Sequence, residues 1–261
     1  MAEILRPKKL IDLRRHSLRQ PLEESELPAT LEAAYDFAAA TVGLLGKPVA
    51  AWKLGATTAG TRRTFSTDEI YFGALLPKEV WVSTSGERAP APPLLRGEAE
   101  MAFRLAEDIE AGESESLLAG DGREPFDCWA PAIEAPYSCV ENIPEAGLRA
   151  LLIDRCAAGA LYLGAPRSQM DDSETMQRME IFAGGHLLAH GDAGTALLMS
   201  PSRAALRFLA VAARQGVNVR CGQWISTGGI TPCVPMPFGQ PIQLRLGGET
   251  VFELFVQEPA Q

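Results

Sequence analysis

The sequence predicts an α+β protein: a helical N-terminal part over residues 1–48, then a mixed, strand-rich domain over residues 49–261. Three observations carry that prediction. Apolar residues recur at helical spacing at Leu31, Tyr35, Ala38, Val42 and Leu45. From Val49 onward the texture changes to short apolar runs broken by Gly, Pro and Thr. Inside this second part, residues 98–105 alternate with period two, the signature of a strand.

The elements follow in order. The first stretch reads as helical, with the Arg14–Arg15 pair as a solvated helix face. The periodic helix covers 28–45, and Gly46 stands where a left-handed residue ends a helix. Strands are predicted over 49–54, 80–83, 98–105, 158–163, 176–182, 187–190, 223–227, 242–246 and 251–256. Gly184 and Gly185 fall between two of these and predict a hairpin turn. A second marked helix starts at Ser200 as N-cap with Pro201 in the first position, and Gly216 stands just past its end. Residues 89–93 and 110–124 read as loops by composition.

Bulk properties narrow the function classes. The chain has 261 residues and a formal net charge of −9, which argues against nucleic acid as a partner because phosphate binding needs a concentrated Lys/Arg surface. The N-terminal residues are interrupted by charges every few positions, and no apolar run approaches the roughly 20 residues that cross a bilayer. A cytoplasmic enzyme with no membrane association is expected. The 5 cysteines, without C-x-x-C spacing, are expected to be reduced thiols buried as small hydrophobes.

The residues able to carry chemistry are few. Glu98 and Glu100, two apart on a strand, point to one face, while Ala99, Met101, Phe103 and Leu105 point into a core. Two adjacent carboxylates repel, and a cation relieves that repulsion. Oxygen-only ligands select a hard ion such as Mg²⁺ or Mn²⁺. An exposed polar face would show the same pattern. Glu134 lies between Pro131 and Pro136 in an apolar stretch where an unpaired carboxylate is costly; a third acid on a second strand would complete a facial set. Lys53, flanked by apolar residues and followed by a Gly/Thr turn, is placed either to meet a substrate carboxylate or to face outward from a strand. Gly228 and Gly229, with Ser226, Thr227 and Thr231, form a loop that lets backbone N–H groups approach a ligand, without the lysine of a phosphate loop. His16, His186 and His190 come with neither a G-x-S-x-G elbow nor an H-E-x-x-H helix, so a hydrolytic triad or a zinc protease is not supported.

These pieces occur in the order found in a known family. The chain resembles the 2-keto-4-pentenoate hydratase group, which includes 2-oxohept-3-enedioate hydratase and 4-oxalocrotonate decarboxylase, within the fumarylacetoacetate hydrolase superfamily. The motifs are WKLGAT at 52–57, TDEIYFGAL at 67–75, GEAEMAF at 97–103, PAIEAPYS at 131–138, GALYLGAP at 159–166 and WISTGGITPCV at 224–234. The resemblance implies a mixed β roll with Mg²⁺ or Mn²⁺ held by Glu98, Glu100 and Glu134. It also implies a catalytic role for Lys53, substrate contacts at Thr57, Thr227 and Gly228, and 2-hydroxydienoate or 2-oxo acid substrates. A homo-oligomer, and association with a related decarboxylase or hydratase, are further implications. Two departures stand out. Where hydratases of the family carry an Asp before the Phe-Gly or Tyr-Gly pair, this chain has Tyr71, which leaves Asp68 upstream as the available acid. Where relatives carry Asp-Asn-Ala-Ser, this chain has Asp154-Arg155-Cys156-Ala157, without the hydroxyl. The expected activity is hydration of a 2-oxo-alkenoate; 2-oxo-enedioate decarboxylation and a non-catalytic, metal-binding relative are the alternatives.

Overall fold

The N-terminal part is helical in two pieces. In the computed structural model, which describes residues 5–83, 88–112, 125–168 and 172–258, α1 spans Pro7–Arg15 and α2 spans Leu31–Leu45. α2 starts later than its periodicity suggests because Thr30 caps it, the Thr30 hydroxyl accepting the Ala33 N–H at 3.1 Å. Gly46 closes it at φ 61°, as expected. Further on come α3 (Ala59–Phe65) and α4 (Ile143–Ile153), the latter broken at Gly147 by φ 80°. The short α5 (Asp172–Thr175) and α6 (Ala193–Ala196) precede α7 (Pro201–Arg214), whose Ser200 cap and Pro201 start are as read from the sequence.

Thirteen strands among the described residues form two sheets. They are β1 (Ala51–Gly55), β2 (Tyr71–Leu75), β3 (Val80–Val82), β4 (Arg88–Pro90), β5 (Arg96–Leu105), β6 (Phe126–Ala135) and β7 (Ala160–Leu163). The later strands are β8 (Arg178–Ala183), β9 (His186–Asp192), β10 (Trp224–Ser226), β11 (Val234–Pro235), β12 (Pro241–Leu246) and β13 (Glu249–Gln257). The large sheet runs β2-β1-β10-β5-β6-β7-β3, with β11 adding to β5; the smaller runs β4-β13-β12-β8-β9. Pairings β1–β10, β3–β7 and β4–β13 are parallel and the rest antiparallel. Ala99, Met101, Phe103 and Leu105 of β5, Ile181 of β8 and Leu244 of β12 are fully buried in one apolar cluster with Phe208 of α7. That contact area joins the two sheets and the helix.

Several expectations need correction. Residues 88–90, at the start of a presumed loop, pair with β13 because that strand continues to Gln257 and offers them a free edge. The presumed loop 110–124 lies outside the described residues from 113 on. β6 runs through Pro131, in a stretch for which the sequence reading gave no strand bounds. The Pro131 carbonyl accepts the Gly164 N–H at 2.8 Å, so its polar side faces the β7 edge and the ladder to β5 loses no donor. Gly184 and Gly185 form the β8–β9 turn with φ 55° and 82°, as a two-glycine hairpin should. Of the cysteines, Cys128, Cys139 and Cys156 are buried, but Cys221 is exposed and Cys233 half-buried. Arg14 is no solvated residue: it pairs with Asp154 and donates to the carbonyls of Ala158, Tyr137 and Asp154 at 2.7–3.0 Å. Arg15, its neighbour, is exposed as expected.

Candidate active site

Strand register brings the acidic residues together. In the β5–β6 ladder Glu98 stands opposite Glu134, and Glu100 opposite Ala132. Residues opposite one another, and residues two apart on one strand, share a sheet face, so the three carboxylates share one. β10 places Ser226 opposite Ala102 on that same face, and β1 places Lys53 beside Ser226. One ligand oxygen from each of Glu98, Glu100 and Glu134 lies within 4.8 Å of the others.

Glu100 and Glu134 are completely buried, and their contacts are specific. Lys53 Nζ lies 2.9 Å from Glu134 Oε1. The Ser226 hydroxyl and the Gly228 N–H, the latter at 2.9 Å, both donate to Glu100 Oε2. Among the described residues Glu100 Oε1 and Glu134 Oε2 have no hydrogen-bond partner. Burial pushes the Glu134 carboxyl up to about 7 despite the adjacent ammonium. It raises Glu98 too, and raises Glu100 furthest from the usual carboxylate range because Glu98 and Glu134 add their repulsion. Burial alone would lower the Lys53 ammonium, but Glu134, Glu98 and Glu100 outweigh it and hold it charged. Three carboxylates facing one ammonium leave two negative charges and two orphaned acceptor oxygens. A divalent cation matches both, and the all-oxygen donor set suits a hard one.

The carboxylate cluster opens onto a cavity of about 540 Å³. Lys53, Thr57, Glu98 and Gly228 line it, as the sequence suggested. Two expected residues are elsewhere. Asp68 is exposed in the turn between α3 and β2 and does not line the cavity, because β2 begins only at Tyr71 and it is Tyr71 that faces inward. Thr227 is buried, but its hydroxyl donates to the Met101 carbonyl at 2.9 Å, so it fastens the loop to β5 and does not face the cavity. Tyr71 and Ala157, the two departures from the family pattern, both line the cavity.

The sequence reading named Ser226, Gly228 and Gly229 only as a loop that a ligand can approach, and the structure gives them further roles. Ser226 holds Glu100, and its only prior signal was a hydroxyl beside a glycine pair. Gly229 leaves room for Glu98: a Cβ there would overlap the Glu98 carboxylate. Gly228, at φ 96°, would place a Cβ on the Thr57 hydroxyl. Cys156 and Ala157 also line the cavity, and with Arg155 before them they form a run at φ 53°, 55° and 56°, three consecutive left-handed non-glycine residues. Such backbone persists only where its surroundings over-determine it. Here Arg155 grips Glu79 with two bonds of 2.8 Å, the Cys156 thiol donates to the Phe72 carbonyl at 2.9 Å, and Arg14 clasps Asp154 from outside.

Comparison with known proteins bears on the fold and on the sequence as a whole. No protein-family model matches the chain. The TodF product hydratase of Pseudomonas putida F1 is 25% identical over 205 residues, which cover 78% of this chain and 74% of that protein. The solved structure of 4-oxalocrotonate decarboxylase from Pseudomonas putida G7, complexed with calcium and acetate, superposes with a TM-score of 0.78 at 16% identity, covering 96% of this chain and 95% of that one. A protein of Yersinia pestis CO92 assigned to the fumarylacetoacetate hydrolase family superposes at 0.53 with 12% identity, over 80% of this chain and 94% of that one. The chain therefore shares the fold of these solved structures. Its sequence similarity to the TodF product hydratase agrees with the resemblance to the 2-keto-4-pentenoate hydratase group that the ordered motifs carry.

Proposed function

We propose that the protein is a divalent-metal-dependent lyase of the hydratase type, acting on 2-hydroxydienoates or their 2-oxo-alkenoate tautomers. The observation that carries this reading is the carboxylate cluster of Glu98, Glu100 and Glu134 with Lys53 beside it, at the base of a cavity. Glu98, Glu100 and Glu134 would hold Mg²⁺ or Mn²⁺, and the ion, when bound, supplies Lewis-acid polarisation of a 2-oxo carbonyl. Lys53 orients the substrate carboxylate with its ammonium and balances charge that develops next to it. Ser226 and the Gly228 N–H fix the Glu100 carboxylate, so it need not reorganise during reaction. Thr57 and Gly228 contact the substrate along the cavity wall, and the apolar residues Phe65, Leu151 and Ile230 exclude water from its chain.

A 2-oxo-enedioate decarboxylase is the second reading. It is favoured by Tyr71 and Ala157, which leave the cavity without the carboxylate and hydroxyl that would hold a water, and by Asp68 standing outside it. One experiment separates the two. The Mg²⁺-loaded protein is offered 2-hydroxypenta-2,4-dienoate and 2-oxohex-3-enedioate, with ultraviolet loss and CO₂ release followed together. Loss of the dienoate chromophore without CO₂ supports the hydratase; CO₂ from the enedioate alone supports the decarboxylase. No turnover of either by metal-loaded protein would overturn both.

A further inference from the structure

The Glu100 carboxylate is gripped through one of its two oxygens. Register sets Ser226 of β10 opposite Ala102 of β5, two residues beyond Glu100, so hydroxyl and carboxylate share a sheet face. The Ser226 hydroxyl and the Gly228 N–H both end on Glu100 Oε2. The loop that carries these donors is tied to β5 on either side of Glu100. The Thr227 N–H donates to the Met101 carbonyl at 3.0 Å, and the Ile230 N–H to the Ala99 carbonyl at 2.8 Å. A carboxylate oxygen has two lone pairs, and on Oε2 both are taken. Oε1, buried and without a partner among the described residues, is the oxygen that Glu100 has left for a cation. Glu134 is restricted in a similar way, because Lys53 Nζ sits 2.9 Å from its Oε1 and leaves Oε2.

We propose that Ser226 is a positioning residue for the choice of metal: by engaging Oε2 it limits Glu100 to one ligating oxygen, and so favours Mg²⁺ or Mn²⁺ over Ca²⁺. The inference rests on the reading of the three carboxylates as a divalent-metal site made above. Ca²⁺ takes about six to eight oxygens and is well served by carboxylates that ligate through both of theirs, whereas Mg²⁺ demands near-ideal octahedral geometry and keeps several waters. With Glu100 and Glu134 restricted to one oxygen each, the cluster is short of the dense oxygen shell that suits Ca²⁺. A smaller ion loses nothing, since water or substrate in the cavity fills its remaining positions. Ser226 is fully buried and does not line the cavity, so its hydroxyl acts through Glu100 alone. The Gly228 N–H belongs to the backbone, which makes Ser226 the half of the grip that a substitution can remove.

The test titrates the metal-free full chain with Mg²⁺ and, separately, with Ca²⁺ in a calorimeter. The unaltered protein should bind Mg²⁺ more tightly than Ca²⁺. Ser226→Ala frees one lone pair of Oε2. Its Mg²⁺ affinity should fall about 10-fold, the scale of losing a group that orients a metal ligand, while its Ca²⁺ affinity holds or rises. Ser226→Thr keeps the hydroxyl and should keep the preference. Should Ser226→Ala lose its melting transition, Ser226→Cys replaces it, with a similar shape, a weaker donor and the same expectation. A merely structural defect would weaken both ions together, so a parallel loss with an unchanged preference overturns the role of Ser226. An unaltered protein that binds Ca²⁺ as tightly as Mg²⁺ overturns it too, and leaves the metal site standing. An unaltered protein that binds neither ion overturns the metal site and the inference together.

Discussion

The two walls of the cavity are built on different principles. One wall is the β5–β6 ladder, where Glu98, Glu100 and Glu134 are aligned by strand register alone. The other wall includes Tyr71, Cys156 and Ala157, the last two in a run that starts at Arg155 and takes left-handed backbone. The first wall is stable in geometry and costly in charge, since buried carboxylates repel one another. The second is neutral in the cavity and costly in backbone. Its conformation depends on contacts from outside, among them Arg155 to Glu79 and Arg14 to Asp154. An ion can offset the cost of the first wall, whereas only the rest of the fold can offset that of the second.

The largest effect is expected at the charged wall. Glu100→Ala should weaken Mg²⁺ binding by more than ~100-fold, since loss even of a residue supporting a ligand costs about 10–100-fold. The metal-free variant should remain folded, because like-charge repulsion with Glu98 and Glu134 is removed as well. Calorimetric titration with Mg²⁺ returning the unaltered affinity would break the assignment. Lys53→Met should keep the metal and lose about 2–4 kcal/mol of transition-state stabilisation, read as kcat/KM. A loss confined to metal affinity would instead assign Lys53 a purely structural role beside Glu134.

The backbone wall answers to a different probe. Arg14→Met removes the cation paired with the buried Asp154 and should destabilise the fold by about 3 kcal/mol, measured by urea unfolding. Mg²⁺ affinity should change little. If affinity fell in parallel with stability, the two walls would be coupled rather than independent.

The pH response sharpens the same contrast. The Glu134 carboxyl, raised to about 7 when folded, keeps a proton that the unfolded chain has lost above its ordinary carboxylate range. Between about pH 4.5 and 7 the folded state therefore binds more protons, and stability of the metal-free protein falls as pH rises, by roughly 1–3 kcal/mol. Mg²⁺ affinity should move the opposite way and strengthen through the same window, with proton release on binding. Melting curves with and without Mg²⁺ from pH 5 to 8 check both signs; a metal-free melting temperature that rises with pH would contradict the burial of these carboxylates. Ala157→Ser, the smallest change, should alter stability by less than ~1 kcal/mol because it only adds a hydroxyl at the cavity surface. A rise in the rate of hydration in that variant would show that the missing hydroxyl limits water addition.

The sequence by itself determined the charged wall and most of the fold's parts. Period-two alternation from Glu98 set which side chains share a face, and an acid between prolines marked Glu134, because strand geometry is local and repeats every two residues. Helix caps at Ser200 and Gly46 and the glycine pair at 184–185 were equally legible, being set by single residues and their backbone preferences. Only the tertiary structure decided the rest. It carried β6 through Pro131, turned Asp68 to the surface and Tyr71 inward, tied up Thr227 on Met101, and buried Arg14 against Asp154. These outcomes depend on partners more than 20 residues away in all but the Asp68–Tyr71 turn, where the start of β2 is itself set by pairing with β1. A proline, a threonine or an arginine has no local signal for which distant strand or carboxylate will satisfy it; pairing register and burial, not periodicity, make that choice.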